Sequence, residues 1–482
     1  MRKFARGITL AAVMIAAPLV TVPASATATA PAATTLSGRL AAVKAAKQIN
    51  YYPSQAGWTR MWTDFDPDTI DADLAKAEAL GADSVRAIVF PSVFGYPTPK
   101  PEYTTKLAQF VSLAVAHGLT VKITLFDWWD GYTDITGSTA WTNAILAPYR
   151  YDTRIIAIGL QNELDPTNAA AIAWAKKLVP VVRAAAPAIP VTISVNETAD
   201  LAKLKASVPV DYYDYHFYGN SEQALAEIRM AQAAVAPAPL VIGETGASTL
   251  SSTEGEQAAY LARVFEAAKV AGVQSVAPWT LNDFATGAIP ASGVAQSPAQ
   301  YRFGLYRTDG TAKPAARVVQ AAWAGTAYPS DVLDLSFENA AGQSAWSDYL
   351  PELGVATKTT AAARSGKWSV TLKNTGKTAA GAPSYRVSPI VPVQPGQKWH
   401  AEVWARGNAA TGATQIALSW FDVNGRWLGG ASSASLPAGT TNWTKLTVDQ
   451  TAPAGAASLQ IHLKSGANTG AVWFDDVAMT MS

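Results

Sequence analysis

Eight short β-forming runs, each followed by a segment of helical period, occupy the chain from about residue 45 to residue 326, and few folds accommodate that rhythm. The runs are Ile49–Tyr52, Ser84–Phe90, Thr120–Phe126, Ile155–Asn162, Pro190–Asn196, Tyr212–Tyr218, Leu240–Glu244 and Gln274–Trp279. Between them lie Ala/Leu/Lys-rich stretches such as Asp71–Leu80, with Gly81 placed to cap it, and Leu107–Ala116, closed by His117-Gly118. Strand and helix in alternation build a parallel sheet, and eight strands close it into a barrel. The expected fold class is therefore α/β, a (β/α)8 TIM barrel over residues 45–327. A doubly wound open sheet is the competing arrangement, but Tyr51-Tyr52-Pro53 stands where its Gly-rich phosphate loop would follow the first strand.

After Pro329 the pattern changes. Over residues 331–482 short alternating runs, among them Trp399–Arg406, Ile416–Asp422, Ser458–Leu463 and Ala471–Ala478, are separated by Gly/Asn/Ala/Pro turns. This predicts an all-β sandwich of jelly-roll type. At the other end, Arg2, Lys3 and Arg6 precede the apolar run Ile8–Val20 and the small-residue triplet Ala24-Ser25-Ala26, the layout of a secretory signal peptide over 1–26. Residues 27–44 read as a flexible leader. Removing those three basic residues leaves 34 Lys+Arg against 36 Asp+Glu, so the mature chain offers no electrostatic grip on nucleic acid or an anionic membrane. No later segment reads as membrane-spanning, and a secreted, extracellular monomer is expected. With no cysteine and four histidines the chain has no thiolate chemistry, and a metal in the catalytic step is not expected.

In a barrel of this kind the site forms at the carboxyl ends of the strands. Strand two carries Arg86, strand four ends Gln161-Asn162-Glu163, strand six His216-Phe217-Tyr218, strand seven Gly243-Glu244-Thr245 and strand eight Pro278-Trp279. Two opposed carboxylates are what glycosidic cleavage requires, one protonated for the leaving oxygen and one ionised. Asn196-Glu197, at the end of strand five, repeats the Asn-Glu pair but runs into a helix, where Glu197 suits the positive N-terminal end. Sixteen tryptophans add flat apolar faces suited to sugar rings, and Trp62, Trp128, Trp129 and Trp141 fall in predicted upper loops. His117 reads as a surface residue.

Asn162-Glu163, Glu244, Tyr218, Trp279 and Arg86 at these strand positions resemble the signature of the retaining β-glycosidase clan, closest to glycoside hydrolase family 5, the cellulases and mannanases. The resemblance implies double displacement with no cofactor: Glu244 as nucleophile, Glu163 as acid/base, Asn162 on the sugar 2-hydroxyl, Tyr218 and Arg86 on the nucleophile, His216 lining the cleft and Trp279 as its floor. The nearby negative charge is expected to raise the Glu163 pKa, and retention predicts carboxyl groups about 5–5.5 Å apart. At strand three, where that family usually presents a His, this chain has Phe126-Asp127-Trp128-Trp129-Asp130, and Asp127 is the candidate for the polar role there, beside Trp128. The ends of the sandwich resemble carbohydrate-binding modules, which implies a structural calcium held by Glu338 and Asp476; alternation puts Trp404 on the polar face of its strand, as a candidate sugar contact. The expected partner is a polysaccharide or oligosaccharide of β-glucan or β-mannan type. The alternative is a glycan- or cell-wall-binding protein on an inactive barrel.

Overall fold

The computed structural model describes residues 35–291, 297–340, 342–373 and 383–482. The expected signal peptide and the start of the leader lie outside the described residues. Nine strands form the barrel: β1 Gln48–Asn50, β2 Ser84–Ile88, β3 Thr120–Phe126, β4 Ile155–Gln161, β5 Val191–Thr192, β6 Ser194–Val195, β7 Tyr213–Phe217, β8 Leu240–Thr245 and β9 Val276–Pro278. They are eight staves, because β5 and β6 are one run interrupted only at Ile193. All pair in parallel, in the orders β1-β2-β3-β4-β5 and β6-β7-β8-β9. Asn50 joins the first stave to the last: its side-chain amide donates to the carbonyls of Pro278 (3.2 Å) and Gly243 (2.8 Å), and its own carbonyl accepts from Leu281 N–H (3.0 Å). The staves are buried on both faces, as a sheet covered by helices must be.

The helices sit where the periodicity put them. Pro67–Leu80 starts on an Asp66 cap with Pro at its first turn and stops at Gly81, which takes the left-handed conformation at φ 88°. Pro101–Ala116 ends at His117, whose two ring nitrogens meet Glu78 (2.9 Å) and Asp71 (3.0 Å) at the surface. One boundary differs. The stretch expected as a flexible leader through residue 44 contains a helix, Leu36–Ala45, capped by Thr35. Its Val43 joins Ala46, Ile156, Ala157, Tyr212 and Val241 in a small apolar cluster at the amino-terminal ends of the staves, and buried Arg39 donates to the carbonyls of Asp152 and Ile155. Its weak amphipathic pattern hid it, because the helix is held by one apolar edge and one arginine.

The second half is a sandwich of two antiparallel five-stranded sheets. Its strands are β10 Ser347–Tyr349, β11 Thr357–Thr359, β12 Ser369–Lys373, β13 Ser384–Val387, β14 Lys398–Asn408, β15 Ala413–Phe421, β16 Trp427–Ser432, β17 Thr444–Thr451, β18 Ser458–Gly466 and β19 Ala471–Met481. The sheet orders are β10-β13-β18-β15-β16 and β11-β12-β19-β14-β17. Alternation holds along β14, where Trp399, Ala401, Val403 and Ala405 are buried between the sheets. Trp404 does point outward, but Arg364 lies over its ring at 3.9 Å and Lys445 at 5.4 Å, so basic side chains already lie against the ring expected to meet sugar. The expected calcium pair does not fit a cation either. Asp476 accepts from Ser365 Oγ on one oxygen and from the Arg364 guanidinium on the other, and Glu338 Oε1 accepts the N–H groups of Lys367 (2.9 Å) and Trp368 (2.8 Å). Among the described residues no helix is long and apolar enough to cross a membrane.

Candidate active site

Glu244, the penultimate residue of β8, points into the barrel mouth and is held from two sides. The Arg86 guanidinium, rising from β2, donates to its Oε1 as a buried ion pair, and the Tyr218 hydroxyl donates to its Oε2 at 2.9 Å. Arg86 is itself fixed by every face of its fork: Nε on Thr124 Oγ1 (3.0 Å), Nη1 also on Asn50 Oδ1 (3.3 Å) and Nη2 on Asn162 Oδ1 (2.6 Å). A planar, permanently charged group with several donors satisfies four partners where an ammonium would satisfy fewer. Tyr218 is 40 % exposed as a residue, so its ring edges the opening while its hydroxyl reaches inward.

Glu163 stands opposite, just beyond β4. Its backbone is left-handed (φ 44°), as are those of Trp128 (φ 51°) and Trp58 (φ 49°), three non-glycine residues around one opening. Ser194 on the neighbouring stave pins the turn, its hydroxyl accepting Glu163 N–H at 2.9 Å and its carbonyl Leu164 N–H at 3.0 Å. The Glu163 carboxyl meets His216 Nδ1 at 2.9 Å, and the same nitrogen is 3.4 Å from Glu244 Oε2. One oxygen from each glutamate and a ring nitrogen of His216 all lie within 4.8 Å of one another. That closeness favours the shorter separation of a retaining pair over the roughly 6.5–9.5 Å gap an inverting pair needs to admit a water. Such a trio could ligate a metal, yet its atoms are already joined to one another, to Arg86 and to Tyr218.

The protonation of Glu163 departs from expectation. Burial pushes its carboxyl up, but the hydrogen bond and charge of His216, aided by Arg86, outweigh burial and hold it below the ordinary value. The neighbouring Glu244 does not dominate, because the histidine stands between the two groups. Asp127 moves the other way: it is fully buried after β3, and burial raises it to about 7 despite Arg86 and the N–H groups of Trp128 (3.0 Å) and Asn162 (3.3 Å) on its Oδ1. Beneath the site Lys122 and Asp214 form a buried ion pair, with the Asp214 carboxylate lying where a methyl on Gly243 would collide with it.

The cleft of about 300 Å³ is lined by Trp58, Ile88, Asp127, Trp128, Trp129, Gln161, Asn162, Glu163, Tyr218, Glu244, Trp279 and Gln300. Asn162, Glu163, Tyr218, Glu244 and Trp279 from the stave ends thus line the opening, and Arg86 and His216 bond the two glutamates from behind it. Trp279 forms one wall, its indole N–H on Gln300 Oε1 (3.0 Å) and its ring edge-on to Trp58 (5.7 Å). Trp62 and Trp141 are buried in the core and line nothing, while Trp129 packs on Tyr96 yet reaches the cleft. Glu197 lies at the start of helix Thr198–Ser207, exposed and without a capping hydrogen bond, away from the pair. Trp58 and Gln300 are cleft residues to which the stave-end pattern does not point. Trp58 had a signal, an aromatic in the loop above the first stave; Gln300 lies 21 positions beyond its partner, with none.

The family model for cellulase, glycosyl hydrolase family 5, matches residues 44–285, half of the chain. The chain belongs to glycosyl hydrolase family 5. It is a glycosidase, and the spacing of its glutamates is that of the retaining members. Solved structures share the fold. A GH5_18 variant from Streptomyces cattleya in complex with Manβ1-4GlcNAc aligns at 20 % identity and TM-score 0.50 over 58 % of this chain and 82 % of its own. An exo-β-1,4-mannosidase from Opitutaceae bacterium strain TAV5 aligns at 20 % identity and TM-score 0.50 over 58 % of this chain and 59 % of its own. GH5_18 from Bifidobacterium longum subsp. longum ATCC 55813 aligns at 19 % and 0.50 over 59 % and 81 %. No curated protein matches.

Proposed function

We propose that this family 5 glycosidase is exported and cleaves a β-linked glucan- or mannan-type glycan, with Glu244 as nucleophile and Glu163 as acid/base. One observation carries the assignment of roles: Glu244 is buried and held from two sides by a guanidinium and a phenol hydroxyl, whereas Glu163 is the more exposed of the two and bonds His216. A nucleophile must be held in its attacking position before substrate arrives. An acid/base must be free to take up and release a proton, and the solvent-facing carboxyl of Glu163 can do both once a sugar oxygen replaces His216 as its partner.

In the first step Glu244 attacks the anomeric carbon while Glu163 gives its proton to the departing oxygen; in the second, Glu163 takes a proton from water, which displaces Glu244 from the sugar. Asn162, oriented by Arg86 and Asp127, presents its amide to the 2-hydroxyl. Trp279 and Trp58 supply apolar wall. Proton donor, base and nucleophile are all side chains, so the reaction calls on no cofactor. The basic, apolar and small-residue order of residues 1–26 supports export.

Two of the fold relatives handle or are named for β-1,4-mannosyl units, which makes aryl β-mannosides the first arm of a panel that includes β-glucosides, β-mannans and β-glucans. Turnover on one arm, with the β-anomer as first product by NMR, supports the reading. Turnover on none, or the α-anomer first, rejects it.

A further inference from the structure

We propose that Glu222 is a positioning residue through which the sandwich holds the Tyr218 hydroxyl on Glu244. The inference rests on the reading of Glu244 as nucleophile given above.

Barrel and sandwich belong to one compact unit, and one place where they meet is the loop that leaves the sixth stave. Residues 218–223 join Tyr218 at the cleft to the helix Ala224–Val235. Their inner end is catalytic in position, and their outer end is gripped by the other domain. The Glu222 carboxylate accepts the Ser388 hydroxyl, which follows β13, and the side-chain amide of Gln460 on β18 at 3.3 and 3.5 Å. Arg263, on the helix Glu254–Ala271, completes the joint: its Nε donates to Ser221 Oγ (2.9 Å) and its Nη1 to the Ser388 carbonyl (3.4 Å). The turn between β15 and β16 presses on the same loop, so close that a methyl on Gly425 would come within 3.0 Å of Gln223 Nε2.

The loop's other anchors are local: the Asn220 carbonyl accepts Gln223 N–H at 2.9 Å, and the Tyr218 ring lies edge-on to Phe303 at 6.0 Å. Asn220 caps it locally, its Oδ1 accepting Glu222 N–H at 2.9 Å, and only Ser221 of the six is buried outright. Glu222 is therefore the charged side chain by which two sandwich segments, one after β13 and one on β18, bond a short stretch carrying a cleft residue. A tethered sugar-binding module would need no such attachment, since it acts through local concentration alone. A domain bonded to an active-site loop acts on geometry, where displacements below an ångström alter rate rather than affinity.

The test is a double-mutant cycle read by steady-state kinetics on an aryl β-glycoside that the full chain hydrolyses. Tyr218→Phe should lower kcat by about tenfold or more through loss of a donor to the reacting carboxyl. Glu222→Ala should lower kcat about five- to tenfold with KM within about twofold, and Glu222→Gln, which keeps an acceptor for Ser388, should recover most of that loss. Combined with Tyr218→Phe, Glu222→Ala should cost nothing further. Ser388→Ala and Gln460→Ala, made from the sandwich side, should shift kcat in the same direction and serve if Glu222→Ala does not fold. The inference is overturned if these variants keep wild-type kcat while Tyr218→Phe does not, or if the losses at 222 and 218 multiply. Wild-type kcat in Tyr218→Phe would instead sink the reading of the cleft, and this inference with it.

Discussion

Arg86 and Glu244 form an ion pair almost wholly withdrawn from solvent, their side chains 1 % and 6 % exposed. Two charges are stable there only because Asn50, Thr124, Asn162 and Tyr218 satisfy the remaining donors and acceptors. Arg86→Lys keeps the charge but cannot span those partners, so kcat/KM should fall about 100- to 1,000-fold with little change in fold by circular dichroism. A loss below about threefold would show that charge alone suffices.

The two glutamates should separate in their kinetics. Glu244→Ala should abolish turnover on every substrate. Glu163→Ala should spare the first step for leaving groups that need no proton and slow the second, giving a burst of aryl alcohol followed by a slow steady state. Equal loss of both steps in Glu163→Ala would contradict the assignment.

Asp127 makes stability depend on pH. Its folded value of about 7 lies above that of an unfolded aspartate, so between about pH 4 and 7 the folded chain binds a proton that the unfolded chain has released. The stabilisation is complete below the unfolded pKa and is lost as pH rises through the folded one, an effect of roughly 2–4 kcal/mol at most. Asp127→Asn, neutral throughout, should flatten the fall in Tm over that window. An unchanged slope would mean the carboxyl is ionised in the native state.

The buried Lys122–Asp214 pair should show strong coupling. Lys122→Met alone strands an anion behind His216 and should cost about 3–5 kcal/mol in chemical denaturation, whereas adding Asp214→Asn should return much of it. Additive losses would place the two charges in separate networks.

The staves and the polar residues at their ends were legible because two signals agreed: β-rich runs alternating with helices, and charged or amide side chains placed where each run stops. Glu163, Glu244, Arg86, Asn162 and Tyr218 follow from strand counting, since closing the barrel brings the stave ends to one mouth, while Glu197 at the end of the fifth run is set apart by the helix it opens. Loop aromatics were not legible in this way. Trp62 and Trp141 are as aromatic as Trp58 and Trp129, but which rings turn inward depends on how Phe94, Tyr96 and Phe126 pack, and no spacing encodes that. The lowered Glu163 carboxyl was hidden for a related reason. It depends on the side-chain position of His216 between the two acids, not on their separation along the chain. In the sandwich the alternation of β14 was legible while the cover on Trp404 was not, because Arg364 comes from a loop some forty positions earlier.

The helix Leu36–Ala45 plugs the underside of the cylinder, opposite the mouth. A shortened version beginning at residue 45, the boundary that strand counting alone suggests, would uncover Ile156, Tyr212 and Val241 and leave the Asp152 and Ile155 carbonyls without Arg39. Anyone trimming this enzyme for crystals or for industrial secretion should therefore cut ahead of Thr35, and should expect a sticky, poorly yielding product if the cut falls later.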